Sequence, residues 1–479
     1  MNLPLSAVAA AVNGTVVGAD VMIQGISTDS RSVRRGDLFI ALRGPHFDGH
    51  KFLPQVADSA VAAMVDRAAS GVLPMVQVGD TRRGLGRLAS MWRQHFSIPV
   101  AAVTGSNGKT SVKEMLAAIL RRRGRVLATE GNLNNDIGVP LTLLRLRSED
   151  DFAVIEMGAN HSGEIAYLSD LAKPSLVIIT NAAAAHLEGF GSMEDVVRAK
   201  GEILDSLSAE GVAVLNFDDP HVDYWLRRVS EQRAITFGLH EGATVSADID
   251  DAASALFSQF QLHIGDEAAT VRLPLPGRHN VMNALAAAAA AHAMGCAIAD
   301  IRAALESLPG VSGRLQCLRN SVGQLIINDS YNANPASAKA AIAVLASHQG
   351  PTLLLLGDMG ELGADADTLH REIGVAARAA QIDQLFVVGQ YAAQVASGFD
   401  EKVDADGATD RAHCFADQQS LIVAAQQWLA AAAAQAAVLI KGSRSAGMEC
   451  VVVALLDADD GHEASTDELN GALDATLSD

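Results

Sequence analysis

Along this chain, short and wholly apolar runs alternate with longer stretches whose apolar residues recur every three or four positions. The first runs are LFIAL (38–42) and AVAAMV (60–65), with turn-rich pieces such as GPHFDGH around them. They predict a small α/β unit. From IPVAAV (98–103) onward the alternation becomes regular. FAVIE (152–156), LVIIT (176–180) and VAVLN (212–216) are strand-like, with helical stretches between them. Runs without a polar face suit strands buried on both sides, and strands alternating with helices imply right-handed crossovers and a mostly parallel sheet. Residues 244–275 break this pattern. There Phe260, Leu262 and Ile264 alternate with Gln261 and His263, and a Gly-Asp pair follows, which predicts an antiparallel edge layer. An Ala-rich helix over about residues 281–294 closes the unit.

A break at LPGVSGR (308–314) precedes a second α/β series, QLIIN (324–328), TLLLLG (352–357), QLFVVG (384–389) and AVLIKG (437–442). This predicts an independent doubly wound unit. The expected fold is therefore α/β in three domains. Residues 1–82 form a small N-terminal α/β domain, 83–310 a central P-loop ATPase-like domain with a mostly parallel sheet, and 311–456 a Rossmann-like domain. Residues 457–479 carry many acidic side chains and no Lys or Arg, so a loose solvated tail is expected there.

Composition narrows the functional classes. Apolar residues make up 49% of the 479, but aromatics only 4%, so the cores must be built from Ala, Val, Leu and Ile. With 36 basic and 56 acidic residues the formal charge is −20, which argues against non-specific nucleic-acid binding. An anionic ligand would need local cationic loops and a metal ion. Cys296, Cys317, Cys414 and Cys450 are scattered, without the close pairs of a zinc or redox site. No run of about 20 apolar residues would span a membrane. The first residues lack a basic leader. A cytoplasmic protein with no membrane insertion and no nucleic-acid partner is expected.

The strongest chemical signal is TGSNGKTS (104–111), between an apolar strand and the helical stretch VKEMLAAILRRRG. Strand, glycine loop and helix are the context a phosphate loop requires. Backbone N–H groups of Gly105, Ser106, Asn107, Gly108 and Ser111 can turn toward phosphates, and the helix N-terminus adds partial positive charge. Lys109 adds a cation and Thr110 a hydroxyl for Mg²⁺. The loop is the short GxxGK[ST] form, since Val103 stands where the longer form has its first glycine.

Further candidates sit at predicted strand ends, where open α/β sheets bind ligands. Glu156 ends an apolar strand and can hold Mg²⁺ against phosphates, the alternative being a solvent-exposed carboxylate. His186 follows the next strand as a ligand or merely a loop histidine. Asn280 and Asn283, three apart on one helix face, can read an adenine edge, the alternative for Asn280 being a helix cap. In the last domain Asp329 can bond ribose hydroxyls, Tyr331 can stack on a base, and Arg314 and Lys441 can reach a phosphoryl group.

TGSNGKT, EMGAN, the 181–186 stretch, RAKGE, GRHNVMNA, Gly313-Arg314 and NDSYNANP, in this order, resemble the Mur ligase family over residues 25–448. The resemblance implies an ATP-dependent amide ligase that works through an acyl phosphate, with ATP as co-substrate and two Mg²⁺ ions. NDSYNANP, GDMGELG, KGSRSAGME and GNLNNDIGVPL are similar to the member that couples UDP-N-acetylmuramoyl-tripeptide with D-alanyl-D-alanine, and a monomer is expected. It also implies a UDP-sugar-binding N-terminal domain, with Ser30, Asp48 and His50 as the nearest matches. Asn134 and Asn135 would flank the muramoyl-peptide channel. Asn332, Asn334 and Lys441 would face substrate. Lys200 would be carbamylated and, with Thr110, Glu156 and His186, hold metal. Lys109, Lys200, His186 and Arg314 would be catalytic. Two other readings are another Mur ligase or a folylpolyglutamate synthase, and, outside enzymes, a nucleotide-gated binding module that lost catalysis.

Overall fold

The computed structural model of the chain describes residues 1–67, 73–183, 187–229, 233–250, 256–400 and 411–456. The acidic tail and His186 lie outside these described residues. The fold is mixed α/β, built on three sheets rich in parallel strands.

The first sheet has five strands in the order Thr15–Val17, Met75–Gln77, Ala62–Val65, Asp37–Ile40, Gly25–Ser27, antiparallel only at its first pair. The central sheet has nine. Its order is Glu267–Leu273, Ser258–Ile264, Val245–Ile249, Ala234–Gly238, Val212–Asn216, Leu176–Ile179, Val100–Thr104, Phe152–Glu156, Val126–Ala128. The strand–helix alternation predicted the parallel majority, and the Phe260/Leu262/Ile264 alternation predicted the two antiparallel edge strands. The third sheet runs Gln316–Arg319, Leu325–Asp329, Ala437–Lys441, Thr352–Leu356, Gln384–Val388, Ala412–Phe415, with only its first pair antiparallel.

Side chains of the central strands alternate between two cores, as a pleated strand requires. Ala102, Ile155 and Ile179 face one core; Ala101, Val103, Val154 and Ile178 face the other. The second core is roofed by helices Lys109–Arg121 and Arg278–Ala293. Ala284 and Ala286 to Ala291 of the latter are all fully buried. A helix buried all round must be apolar all round, and its methyl side chains let it approach both sheet and neighbouring helix closely.

The division after residue 82 falls inside helix Thr81–Arg93, whose first-turn N–H groups of Arg82 and Arg83 are capped by Asp80. Leu85, Leu88 and Ala89 of this helix join Leu5, Val8 and Val12 below to Val139, Leu143 and Leu168 of the central unit in one continuous core. The hydrophobic effect gains from a shared core, so the helix serves both units. Among the described residues no helix is long and apolar enough to cross a membrane.

In the third unit, helices Ala366–Ala379 and Ala392–Asp400 touch backbone to backbone. A Cβ on Gly374 would stand 1.9 Å from the Val395 carbonyl oxygen, and backbone cannot yield as a flexible side chain can. Gly374→Ala is therefore expected to destabilise this unit by at least the ~1–3 kcal/mol of an overpacked core, read as a lower midpoint in thermal unfolding; an unchanged midpoint would contradict the close contact.

Candidate active site

The phosphate loop leaves strand Val100–Thr104 and enters helix Lys109–Arg121 through two glycines at positive φ, Gly105 (148°) and Gly108 (80°). Both positions also exclude a side chain. A Cβ at Gly105 would stand 1.9 Å from Thr180 Oγ1, and one at Gly108 2.2 Å from Asn283 Oδ1. The loop is tied to the end of the next strand. Ser106 N donates to Asn181 O (3.0 Å), Asn107 N to Asn181 Oδ1 (3.0 Å), and Thr180 Oγ1 to Asn107 O (2.6 Å). Ser106 Oγ and Ala183 exchange hydrogen bonds at 3.0 Å. Lys109 Nζ folds back onto Gly105 O (2.8 Å) and Ser106 O (3.3 Å). Desolvation lowers its pKa and the nearby Glu156 opposes that shift.

Glu156 is buried, not the exposed strand-end carboxylate that the sequence also allowed. Its backbone N–H donates to Thr129 Oγ1 (2.9 Å) and its Oε1 accepts from Asn134 Nδ2 (2.9 Å). Its Oε2 is buried with no protein partner. A buried carboxylate oxygen without a donor is costly. An oxygen-seeking cation would satisfy it. Among the described residues no cluster of three His, Cys, Asp or Glu could hold a metal by itself.

The third unit reaches the loop directly. Arg314 Nη2 donates to Thr110 Oγ1 (3.0 Å) while its guanidinium lies 4.4 Å from the Tyr331 ring centroid. Asn334 Nδ2 donates to Asn107 Oδ1 (2.7 Å), and its Oδ1 caps helix Pro335–Ala346. Together these residues enclose a cavity of about 1240 Å³, also lined by Asn134, Asn135, Asn280, Asn283, Asp329, Asn332 and Lys441.

The geometry gives several of the candidate residues protein partners. Asn280 is no helix cap: Gly277 holds that position, and Asn280 Nδ2 donates to Pro276 O (2.8 Å). Its Oδ1 accepts from Asn283 Nδ2 (3.3 Å), so the two amides form one polar edge in the cavity. Asp329 and Lys441 form a buried ion pair at 2.6 Å, with Asp329 also accepting from Leu315 N and Lys441 donating to Asn332 O (2.8 Å). Each satisfies the other's charge, so they brace the strand ends on which Arg314 and Tyr331 stand. Asn135 Oδ1 accepts from Ile137 N and Gly138 N.

The N-terminal candidates do not line this cavity. Ser30 is half-buried in the turn after Gly25–Ser27. His50 is buried: its Nδ1 faces Asp48 Oδ1 at 2.8 Å, and its Nε2 accepts from Asp66 N (3.2 Å). Both ring nitrogens are engaged within the protein, so His50 shapes the loop. Asp48, its carboxyl held well below the usual range by Arg67, lines a separate surface cavity of about 660 Å³ with Arg43, Phe47, Lys51 and Arg82.

Lys200 is 1% exposed on helix Met193–Gly201, with its Nζ 5.2 Å from the Phe190 ring centroid. Burial, then the charge of Lys109, lowers its pKa from 10.5 to about 7, against Glu202 and Glu164. Sequence reasoning missed His279, Asn181, Arg82 and Tyr167 of the lining or its supports. His279 lies inside GRHNVMNA, where the asparagines drew the attention; burial lowers its pKa to about 4, so it faces the cavity as a neutral imidazole. Asn181 had a signal, since it directly follows an apolar strand.

A short phosphate loop, a buried carboxylate with one open oxygen and an arginine brought from another domain define a nucleotide-dependent phosphoryl-transfer enzyme. Family models match along its length: "Mur ligase family, catalytic domain" over residues 22–93, "Mur ligase middle domain" over 103–291, and "Mur ligase, glutamate ligase domain" over 313–444. The UDP-N-acetylmuramoyl-tripeptide–D-alanyl-D-alanine ligase of Escherichia coli K12 is 43% identical over 464 residues, 95% of this chain and 98% of that protein. A crystal structure of MurF from Acinetobacter baumannii superposes with a TM-score of 0.88 at 35% identity, covering 95% of this chain and 99% of that one. MurF from Thermotoga maritima in complex with ADP gives 0.78 at 27% identity, covering 90% and 97%. The chain belongs to the Mur ligase family, and it is an ATP-dependent amide ligase.

Two outcomes are expected. Lys109→Ala should lower turnover by about 10²-fold or more, the loss seen when a group stabilising developing charge is removed, while circular dichroism shows an intact fold. Between about pH 7 and 10.5 the unfolded chain holds a proton at Lys200 that the folded chain lacks, so this group's contribution to stability rises with pH across that window. Chemical unfolding in CO₂-free buffer should therefore show Lys200→Met more stable than wild type below pH 7, with the gap closing toward pH 10.5; a gap independent of pH would contradict a neutral buried lysine.

Proposed function

We infer that the chain joins D-alanyl-D-alanine to the carboxylate of UDP-N-acetylmuramoyl-tripeptide, at the expense of ATP, in peptidoglycan precursor synthesis. The observation that carries this reading is its similarity, over nine-tenths of its length, to ligases of that name.

The chemistry follows from the substrates. A carboxylate is a poor electrophile because its oxygen cannot leave. A carboxylate oxygen attacks the γ-phosphorus of ATP, the bond to ADP breaks, and an acyl phosphate forms. The free amine of the dipeptide then attacks the carbonyl carbon. The tetrahedral intermediate expels phosphate, and the nitrogen gives up its proton. Protein work here is placement and charge neutralisation. The loop N–H groups and Lys109 hold the β- and γ-phosphates, Arg314 adds a second cation beside Thr110, and Asn280 with Asn283 faces the adenine. Tyr331 flanks the nucleoside.

Thr110 and Glu156 would hold Mg²⁺, which neutralises charge on the transferring phosphoryl group when bound. Lys200 as a carbamate, with His186, would supply anionic and neutral ligands to a second ion; its lowered pKa favours the neutral amine that CO₂ must meet. The N-terminal unit would bind the UDP-sugar, with the cationic surface cavity around Arg43, Lys51 and Arg82 suiting the diphosphate. The arms of the cavity meet through Arg314 and Asn334, so a closed third unit excludes water that would otherwise hydrolyse the acyl phosphate.

Phosphate release from ATP and UDP-N-acetylmuramoyl-tripeptide is expected to depend on D-alanyl-D-alanine and not on L-glutamate or meso-diaminopimelate. Release driven equally by either of the latter would overturn the assignment of the amine.

A further inference from the structure

Lys113 is a buried cation that the chemistry above does not use. It lies one turn beyond Lys109 on the same helix and is 0% exposed. Burying a lysine is costly, and an apolar side chain of similar volume would serve a core better. Its Nζ donates to the Thr129 carbonyl (2.7 Å) and to Glu114 Oε1. The first of these contacts changes how two strands pair.

Strands Val126–Ala128 and Phe152–Glu156 run parallel, and Thr129 N still donates to Val154 O (3.1 Å). A parallel ladder carried one rung further would run from Glu156 N to Thr129 O. That rung is replaced. Lys113 holds the carbonyl, and Glu156 N donates instead to the Thr129 hydroxyl (2.9 Å). Residue 129 is thereby pinned at the end of the ladder, where the chain leaves the sheet for residues 130–137. Within that stretch Asn134 brings its Nδ2 to Glu156 Oε1 (2.9 Å). Gly158 keeps the amide in place. Its N–H donates to Asn134 O (2.8 Å), and a Cβ on it would stand 2.9 Å from Asn134 Oδ1. The backbone and one oxygen of Glu156 are fixed in this way, and the other oxygen is buried without a protein partner.

We propose that Lys113 and Thr129 are positioning residues, which hold the Glu156 carboxylate in register with the phosphate-loop helix so that its open oxygen meets the metal. Lys113 stands on the helix that carries Lys109 and Thr110. The carboxylate ligand of the ion and its hydroxyl ligand are therefore tied to one element. This rests on the reading of Glu156 and Thr110 as Mg²⁺ ligands. Groups that orient a metal's ligands from behind change its affinity by about 10- to 100-fold when they are removed.

The test uses Mn²⁺, which takes the same oxygen ligands as Mg²⁺ and is read by electron paramagnetic resonance. It is titrated into the full-length enzyme held in excess over ADP. Lys113→Met is expected to weaken Mn²⁺ binding by about 10- to 100-fold, while ADP affinity in EDTA stays unchanged. Thr129→Val should weaken it likewise, and Thr129→Ser, which keeps the hydroxyl, should not. A role confined to stability would lower the thermal midpoint and leave the metal affinity of the folded protein alone. In a Glu156→Ala background Lys113→Met should add no further loss, because both act through one carboxylate. Should Lys113→Met not fold, the contrast between the two Thr129 variants decides. Wild-type Mn²⁺ affinity in Lys113→Met or in Thr129→Val, or a full additional loss in the Glu156→Ala background, would overturn the proposal. Wild-type affinity in Glu156→Ala would instead remove Glu156 as a metal ligand, and the proposal with it.

Discussion

The active site depends on how closely the phosphate loop can lie against its neighbours. Gly105 sits where Thr180 allows no side chain, and Gly108 where Asn283 allows none. Those contacts let the strand-end residues Thr180 and Asn181 take the loop's polar atoms into their own hydrogen bonds. They also bring the amide edge of Asn283 up to the first turn of helix Lys109–Arg121. The loop and the amide edge are thus held together by the same two absences of a methyl group. The Ala-rich helix Arg278–Ala293 makes this possible from behind, because only short side chains allow its backbone so near the sheet.

Electrostatics complete the arrangement in a chain whose overall charge is −20. The protein does not attract polyanionic nucleotides by its general field; it concentrates cations at a few points. Lys109 and Arg314 converge on the loop, while Lys441 is neutralised by Asp329. Lys200, buried near Lys109, yields its charge more readily than an ordinary lysine. Glu156 keeps one oxygen unsatisfied. Each departs from ordinary surface behaviour for a local reason that can be named: burial, a like charge or a missing donor.

Much of this was legible in the sequence. Uninterrupted apolar runs gave the parallel strands, and the Phe260, Leu262, Ile264 alternation gave the antiparallel edge, because side-chain period reflects burial on one face or two. The loop residues could be read because strand, glycines and helix are local. What could not be read depends on distant partners. The pairing of Asp329 with Lys441, 112 residues away, is written in neither local stretch, nor is the contact of His50 with Asp66. That helix Thr81–Arg93 serves two units was not legible, because a helix shared by two cores shows the same amphipathic pattern as one that serves a single core.

The core that runs unbroken through helix Thr81–Arg93 has a mechanical consequence. The first and central units cannot tilt against each other without opening a buried apolar surface, so they act as one lever. Relative motion is left to the third unit, whose connection after helix Ile298–Glu306 contains Arg314 itself. The residue that touches Thr110 is therefore part of the pivot. A rotation that swings the third unit away also withdraws the guanidinium from the loop, so the state of the joint and the charge at the phosphates change together as one coordinate.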